Sequence, residues 1–324
     1  MARGKEEKSA KGKTFPIMVV VFCLWYATSA SYNVYNAKMR VYPYEYAVGT
    51  LQLVAGMVYA LPLWALNIRD FPNLSWSEII YNLWPVALLN TLGHITAVFA
   101  MFQKGGGSFT HVIKASEPVV SVILTLLFNG TLPKPFTGLS LLPIAYGVAY
   151  ASTLGNLSIA TMKQELQTPM AALAMASNIC FAMRSLVRKN MDPKIKAKLD
   201  PANDHALTTL LSIAMMIPAV LIFEPIDALS TAFTAFSMED RNRFLFDSFV
   251  CGMSFYLYNE FQNDVLSDLG PVPTAVGNTL KRVAIFVGLY LFTPGEVFPM
   301  PKVIGCGVAI AGCLAYAVCN AKKI

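Results

Sequence analysis

Residues 277–292 read GNTLKRVAIFVGLYLF and set Lys281 beside Arg282 in a stretch that is otherwise apolar. A lysine or arginine at mid-bilayer costs about 2.5–3.5 kcal/mol on insertion scales. The pair lies well after Pro273 and well before Pro294, near the middle of the implied helix, so snorkelling to an end does not relieve it. Thr274, Asn278, Lys281 and Arg282 follow i, i+4, i+7, i+8, one helical stripe, and such a stripe must face a cavity or the interior of a bundle. A second set stands in residues 110–118, THVIKASEP. Thr110, His111 and Lys114 share a face, Glu117 follows, and Pro118 is placed to bend the helix. One acid near three cations leaves an excess of positive charge. A lysine point charge beside arginine's planar fork suits the outer oxygens of a phosphoryl group. The competing reading is structural ion pairing, Lys114 with Glu117 and Lys281 or Arg282 with Glu260 or Asp264.

Elements able to hold charges there must themselves be membrane helices. The 324-residue chain is 55% hydrophobic and only 14% charged, against about 25% charged in soluble domains. Apolar stretches of helix length recur from Phe15 almost to the C-terminus. The expected fold class is therefore an all-α membrane protein of ten transmembrane helices. The spans fall near 15–36, 45–66, 80–103, 109–129, 137–159, 168–188, 206–227, 243–266, 272–293 and 299–320, with 191–204 and 224–233 as connections. Ten spans place both termini on one face, and that face collects twice as many lysines and arginines as the other, as the positive-inside bias requires.

Residues 124–151 echo 288–317, and each copy follows an embedded lysine, Lys114 or Lys281. Five-span halves must insert in opposite orientations, and inverted repeats place their site at the repeat interface near mid-membrane. The expected organisation is a basic polar tail at 1–14, one ten-helix transporter domain at 15–320 and a short tail at 321–324. Within the domain, repeat one covers about 15–160 and repeat two about 165–320. The N-terminal tail lacks the apolar core of a signal peptide, so a targeting segment is read as absent or already removed.

The six cysteines lie in apolar stretches without a Cys-x-x-Cys pair, and the three histidines are scattered, so neither metal nor cofactor is expected. No nucleophile with its base and no paired carboxylates stand out, which argues against an enzyme. Much of the net charge of +6 sits in the tail and at membrane edges, pointing to lipid headgroups and not to nucleic acid. Weaker candidates line neighbouring spans. His94 stands one turn from Thr91 and reads equally as a packing residue; Tyr258 shares a stripe with Ser254 and Gln262. Phe181, Arg184 and Asn278 are candidate gate or cavity-wall residues, although snorkelling could account for Arg184.

SFTHVIKASEP (108–118), YLYNEFQ (256–262) and AVGNTLKRV (275–283), with weaker support from Trp25 and Tyr26 and from Ser177 and Asn178, make nearly the whole chain resemble the plastid phosphate translocators. These form the triose-phosphate/phosphate group of the drug/metabolite transporter superfamily. The resemblance implies two inverted five-helix repeats around a central phosphate site. It implies an antiporter that exchanges triose phosphate or 3-phosphoglycerate for inorganic phosphate by alternating access. Hexose-phosphate, pentose-phosphate or phosphoenolpyruvate exchange, or nucleotide-sugar transport on the same fold, are the alternatives. By resemblance Lys114, Lys281 and Arg282 bind phosphate, His94 and Tyr258 touch the variable part of the substrate, and Thr96 or Ala97 supplies the neighbouring position. The implied location is the plastid envelope inner membrane, with Golgi or endoplasmic reticulum as the alternative. The triple glycine in FQKGGGSF (102–109) departs from the family's small apolar residues.

Overall fold

The computed structural model describes residues 15–103, 106–269, 271–294 and 296–322, and every regular element among them is helical. The expected tail at 1–14 lies outside the described residues, and the last described helix runs to Lys322, over the first two of the four residues expected as the second tail, the other two lying outside the described residues. The principal helices are α1 (Phe15–Lys38), α2 (Glu45–Ala65), α3 (Trp84–Phe102), α4 (Gly106–Lys114), α5 (Glu117–Asn129), α6 (Leu141–Ser152), α7 (Pro169–Lys189), α8 (Pro201–Phe223), α9 (Met238–Leu269), α10 (Pro271–Phe292) and α11 (Met300–Lys322).

Local chemistry sets these boundaries. Thr168 caps α7 by accepting from the Ala171 amide, and the Asp200 carboxylate accepts from the Ala202 and Asn203 amides of α8; a proline follows each cap at the first helical position. Gly130 ends α5 in the left-handed region at φ 64°. Pro118 cannot donate to the preceding turn, and the chain bends by 44° between α4 and α5, where the sequence placed a kink.

Among the described residues six helices are long and apolar enough to cross a membrane: those within Pro16–Val41, Glu45–Ala65, Trp76–Phe102, Pro169–Lys189, Pro201–Phe223 and Met300–Asn320. The bent pair α4–α5 makes a seventh when counted as one span. Ten helical stretches do occupy the expected positions, but α6 has only 12 residues, and α9 and α10 carry many of the polar groups of the interior. The stretch 224–233, expected as a connection, is largely the short helix Ile226–Ala235, which is not among the candidate spans. Pro225 breaks the chain after α8 and then stands as the N-cap of this new helix.

Packing follows a reciprocal pattern. α1 lies along α9 and α10, while α7 lies along α3 and the α4–α5 pair; α2 crosses α8, and α6 crosses α11. The last crossing is backbone on backbone, because a Cβ on Gly147 would sit 2.4 Å from the Ala309 nitrogen. Tyr32, Met39, Val48, Leu53, Ile95, Met216 and Phe255 form the largest buried cluster, joining α1, α2, α3, α8 and α9 and supporting one side of the central space.

Candidate functional site

α1, α3, α4, α5, α7, α9 and α10 all contribute to one interior cavity of about 110 Å³. Four cations line it, Lys114 from the end of α4, Arg184 from α7, and Lys281 and Arg282 from α10, against one carboxylate, Glu117. The excess is three positive charges.

The ion pairs differ from the competing expectation. Arg282 Nη2 lies 3.2 Å from Glu117 Oε2 and also donates to the Lys114 carbonyl at 2.7 Å. The guanidinium thus closes over the break between α4 and α5 and satisfies a carbonyl that the bend releases. Glu260 is engaged by Arg69 at 2.6 Å and has no ion pair to Lys281. Among the described residues Lys114 and Lys281 have no ion-pair partner.

Aromatic faces and amides attend them instead. Lys281 Nζ donates to Gln262 Oε1 at 3.3 Å and stands 5.0 Å from the Tyr258 ring centroid and 5.3 Å from that of Trp25. Gly277 permits this wall, since a Cβ there would lie 2.6 Å from the Trp25 ring. The Phe181 ring receives two cations, Lys114 at 5.0 Å and Arg184 at 4.8 Å. Each such contact contributes about 0.5–2 kcal/mol, too little to neutralise a desolvated charge. Arg184 Nη1 donates to Asn90 Oδ1 at 2.6 Å, so it lies over the cavity and does not snorkel outward.

Phe181, Arg184, Tyr258 and Asn278 therefore share the cavity with Lys114, Lys281 and Arg282. His94 and Thr96 do not line it. His94 is buried behind Phe255, with ring centroids 4.6 Å apart and Nε2 3.1 Å from the Gly49 carbonyl. Thr96 Oγ1 donates to the Leu92 carbonyl of its own helix at 2.6 Å. Sequence reasoning had grouped His111 with Lys114 without giving it a role. Its Nε2 meets Asn33 Oδ1 at 2.5 Å, while its Nδ1 is buried without a partner at the cavity wall. Gln262, which shares the Tyr258 stripe, and Asn178 also line the cavity, and Asn33 and Asn259 add amides that the sequence pattern does not mark.

Beyond His111, towards the start of α4, the cavity is followed by a hydrogen-bonded cluster around Glu296, which comes from the α10–α11 connection. Arg40 Nη2 lies 3.2 Å from Glu296 Oε1, the amides of Gly107 and Ser108 donate at 3.2 and 3.3 Å, and Ser108 Oγ donates at 2.5 Å. Lys302 Nζ in turn donates to Ser108 Oγ at 2.5 Å. Glu296 thus caps α4 from another part of the chain. Burial pushes its carboxyl up, but the hydrogen bonds from Ser108 and Arg40 and the Arg40 charge prevail and hold it below the ordinary value. Of the triple glycine, Gly105 lies outside the described residues, and Gly107 acquires a reason here. A Cβ on Gly107 would stand 2.8 Å from Glu296 Oε1.

A basic, largely uncompensated cavity among apolar helices is an arrangement suited to an anion. The chain belongs to the Triose-phosphate Transporter family, whose model matches residues 17–317. Members of this family are transporters, not enzymes. Among curated relatives, the chloroplastic xylulose 5-phosphate/phosphate translocator of Arabidopsis thaliana is 32% identical, the match covering 98% of this chain and 73% of that one. The chloroplastic phosphoenolpyruvate/phosphate translocator 1 of Oryza sativa subsp. japonica is 32% identical over 97% of this chain and 74% of its own. The chloroplastic triose phosphate/phosphate translocator of Brassica oleracea var. botrytis is 33% identical, with 94% and 71% covered.

Proposed function

We propose that this protein exchanges phosphorylated organic anions, triose phosphate and 3-phosphoglycerate first among them, for inorganic phosphate by alternating access. The observation that carries this reading is the convergence of Lys114, Arg184, Lys281 and Arg282 on one cavity with Glu117 as its single carboxylate. Lys114, Lys281 and Arg282 hold the phosphoryl group, with Tyr258, Asn278 and Gln262 placed to meet the remainder of the substrate. The names of the relatives support the substrate class, and their chloroplastic designation supports a plastid envelope inner membrane location.

The reciprocal packing supports ten spans in two inverted halves. Exchanging each helical stretch of the first half for its counterpart in the second turns the contact of α1 with α9 into that of α7 with α3. It returns the α2–α8 and α6–α11 crossings to themselves.

Charge then explains coupling. Closing the empty cavity would bury an excess of three positive charges, at several kcal/mol per ion. A phosphate monoester brings about 1.5–2 negative charges at neutral pH, and a substrate carboxylate brings one more. The loaded protein closes and crosses, the empty one is held back, and each return needs another anion. No coupling ion is required.

In phosphate-loaded proteoliposomes, Lys281→Ala and Arg282→Ala should each abolish exchange, by at least a hundredfold, while the purified protein keeps its helical content. Wild-type exchange by either variant overturns the assignment. Uptake into vesicles without internal phosphate should be at least tenfold slower than counter-exchange; equal rates would remove the charge argument. Competition by dihydroxyacetone phosphate, 3-phosphoglycerate, phosphoenolpyruvate and glucose 6-phosphate then ranks the substrates.

A further inference from the structure

A second polar cavity, about 320 Å³, opens beyond the far end of α5. Ser121 and Thr125 of α5, Thr131 and Lys134 of the α5–α6 connection, Lys189 at the end of α7 and Asn320 of α11 line it, and no carboxylate occurs among its described lining residues. Lys189 makes no ion pair among the described residues. Its place in the last turn of α7 suits its charge, because the helix dipole favours a cation there.

Two walls join this space to the central cavity. Glu117, Ser121 and Thr125 stand at i, i+4 and i+8 of a helix otherwise apolar until Asn129, one stripe with about 6 Å of rise per step. Glu117 belongs to the central lining, Ser121 and Thr125 to the outer one. On α7, Arg184 faces the central cavity and Lys189 the outer one, about 7.5 Å further along the axis. A polar stripe on an apolar membrane helix needs water or a polar ligand opposite it.

We propose that this outer cavity is a second binding site for phosphate-bearing anions, at which a phosphate monoester is held before it passes along the Ser121–Glu117 stripe to Lys114, Lys281 and Arg282. Lys189, which makes no ion pair among the described residues, stands there with the Lys134 ammonium, hydroxyls and an amide, and with no carboxylate among the described lining this set matches the outer oxygens of a phosphate, free in water or on a lipid headgroup. The passage rests on the transport reading above; the binding does not.

Two measurements on the full-length protein separate these. Radiolabelled inorganic phosphate is first bound at low ionic strength to detergent-purified Lys281→Ala, in which the central site is crippled. A weak residual class of binding should remain, and it should disappear when Lys134→Gln and Lys189→Gln are added. Proteoliposomes carrying only the two glutamine substitutions should then show a KM for phosphate raised two- to fivefold from one side alone. Their kcat should be unchanged and their dependence on KCl flatter, because a charge that steers a dianion is screened by salt. If adding phosphatidylglycerol to zwitterionic vesicles raises the wild-type KM to that of the variant, the headgroup is an occupant; if the difference persists, free phosphate is. Both outcomes support the site. Residual binding that survives the two substitutions, or an unchanged KM from both sides, overturns it. Absence of wild-type exchange together with loss of residual binding would refute the transport reading and leave the site standing.

Discussion

The two ends of the broken helix α4–α5 differ by one carboxylate. At the start of α4, Arg40 and Lys302 are gathered with two backbone amides and the Ser108 hydroxyl around Glu296. At the end of α5, Lys134 and Lys189 line an outer cavity whose described lining contains no acid. Basic residues are present at both ends. With an acid they form a clasp that holds the turn after α1, α4 and the start of α11 together; at the other end Lys189, which makes no ion pair among the described residues, gives the cavity the charge of a positive funnel. Between the two lies the central cavity, where Glu117 engages only Arg282 and the other cations lack an acidic partner. Acid placement, more than the number of cations, decides which part of the protein is closed and which part attracts an anion.

Removing the clasp should have the largest effect. Glu296→Ala leaves Arg40, Ser108 and the first turn of α4 without their acceptor, and Arg40 is only partly exposed. The expected loss of stability is about 2–3 kcal/mol, below the 3–5 kcal/mol of a fully buried broken pair because water reaches Arg40. Thermal unfolding in detergent measures it, and an unfolding midpoint equal to wild type would mean that Glu296 does not hold this end together. A smaller effect is expected from giving the funnel an acid. Lys189→Glu changes the local charge by two units beside Lys134. Exchange of a dianion from that side should fall about tenfold, equivalent to about 1.4 kcal/mol in transition-state terms, while stability falls by only about 0.3–1 kcal/mol, the cost of an acid at the negative end of the α7 dipole. Unaltered exchange would make the outer lysines irrelevant to the path.

The central cavity was readable because its signal is local and expensive. Lys114, Lys281 and Arg282 stand in apolar stretches where only an interior site justifies them, and a helical stripe gave the direction in which Asn278 points. Arg184 was ambiguous because it lies near the end of α7, and only the hydrogen bond to Asn90, 94 residues away in sequence, turns it inward. The clasp left no such trace. Arg40 and Glu296 are 256 residues apart and sit at helix ends, where charges ordinarily meet water. The substrate role of His94 and the choice of Thr96 rest on resemblance, and the structure sets His94 in the wall behind Phe255, as its packing reading has it, and Thr96 on the α3 backbone. For the fold, period and apolarity located the helices, whereas the sequence did not show that the connection at 224–233 is itself largely helical, because Pro225, which follows the end of one helix, also begins another.

The finest test of the contrast uses protons. Glu296 is held below its ordinary value, so its folded form binds fewer protons than its unfolded form at mildly acidic pH. Its stabilisation is fully present above the unfolded pKa, near the ordinary carboxyl value of 4.5, and is lost as pH falls through the lower folded value. The midpoint difference between wild type and Glu296→Gln should therefore stay constant from about pH 5.5 to 8 and narrow only below about pH 4.5. A difference that narrowed already between pH 6 and 7 would show that the carboxylate is raised, not depressed. The Arg40 and Ser108 hydrogen bonds would then fail to outweigh burial, and the clasp would open under mild acidification while the funnel, built of lysines, kept its charge.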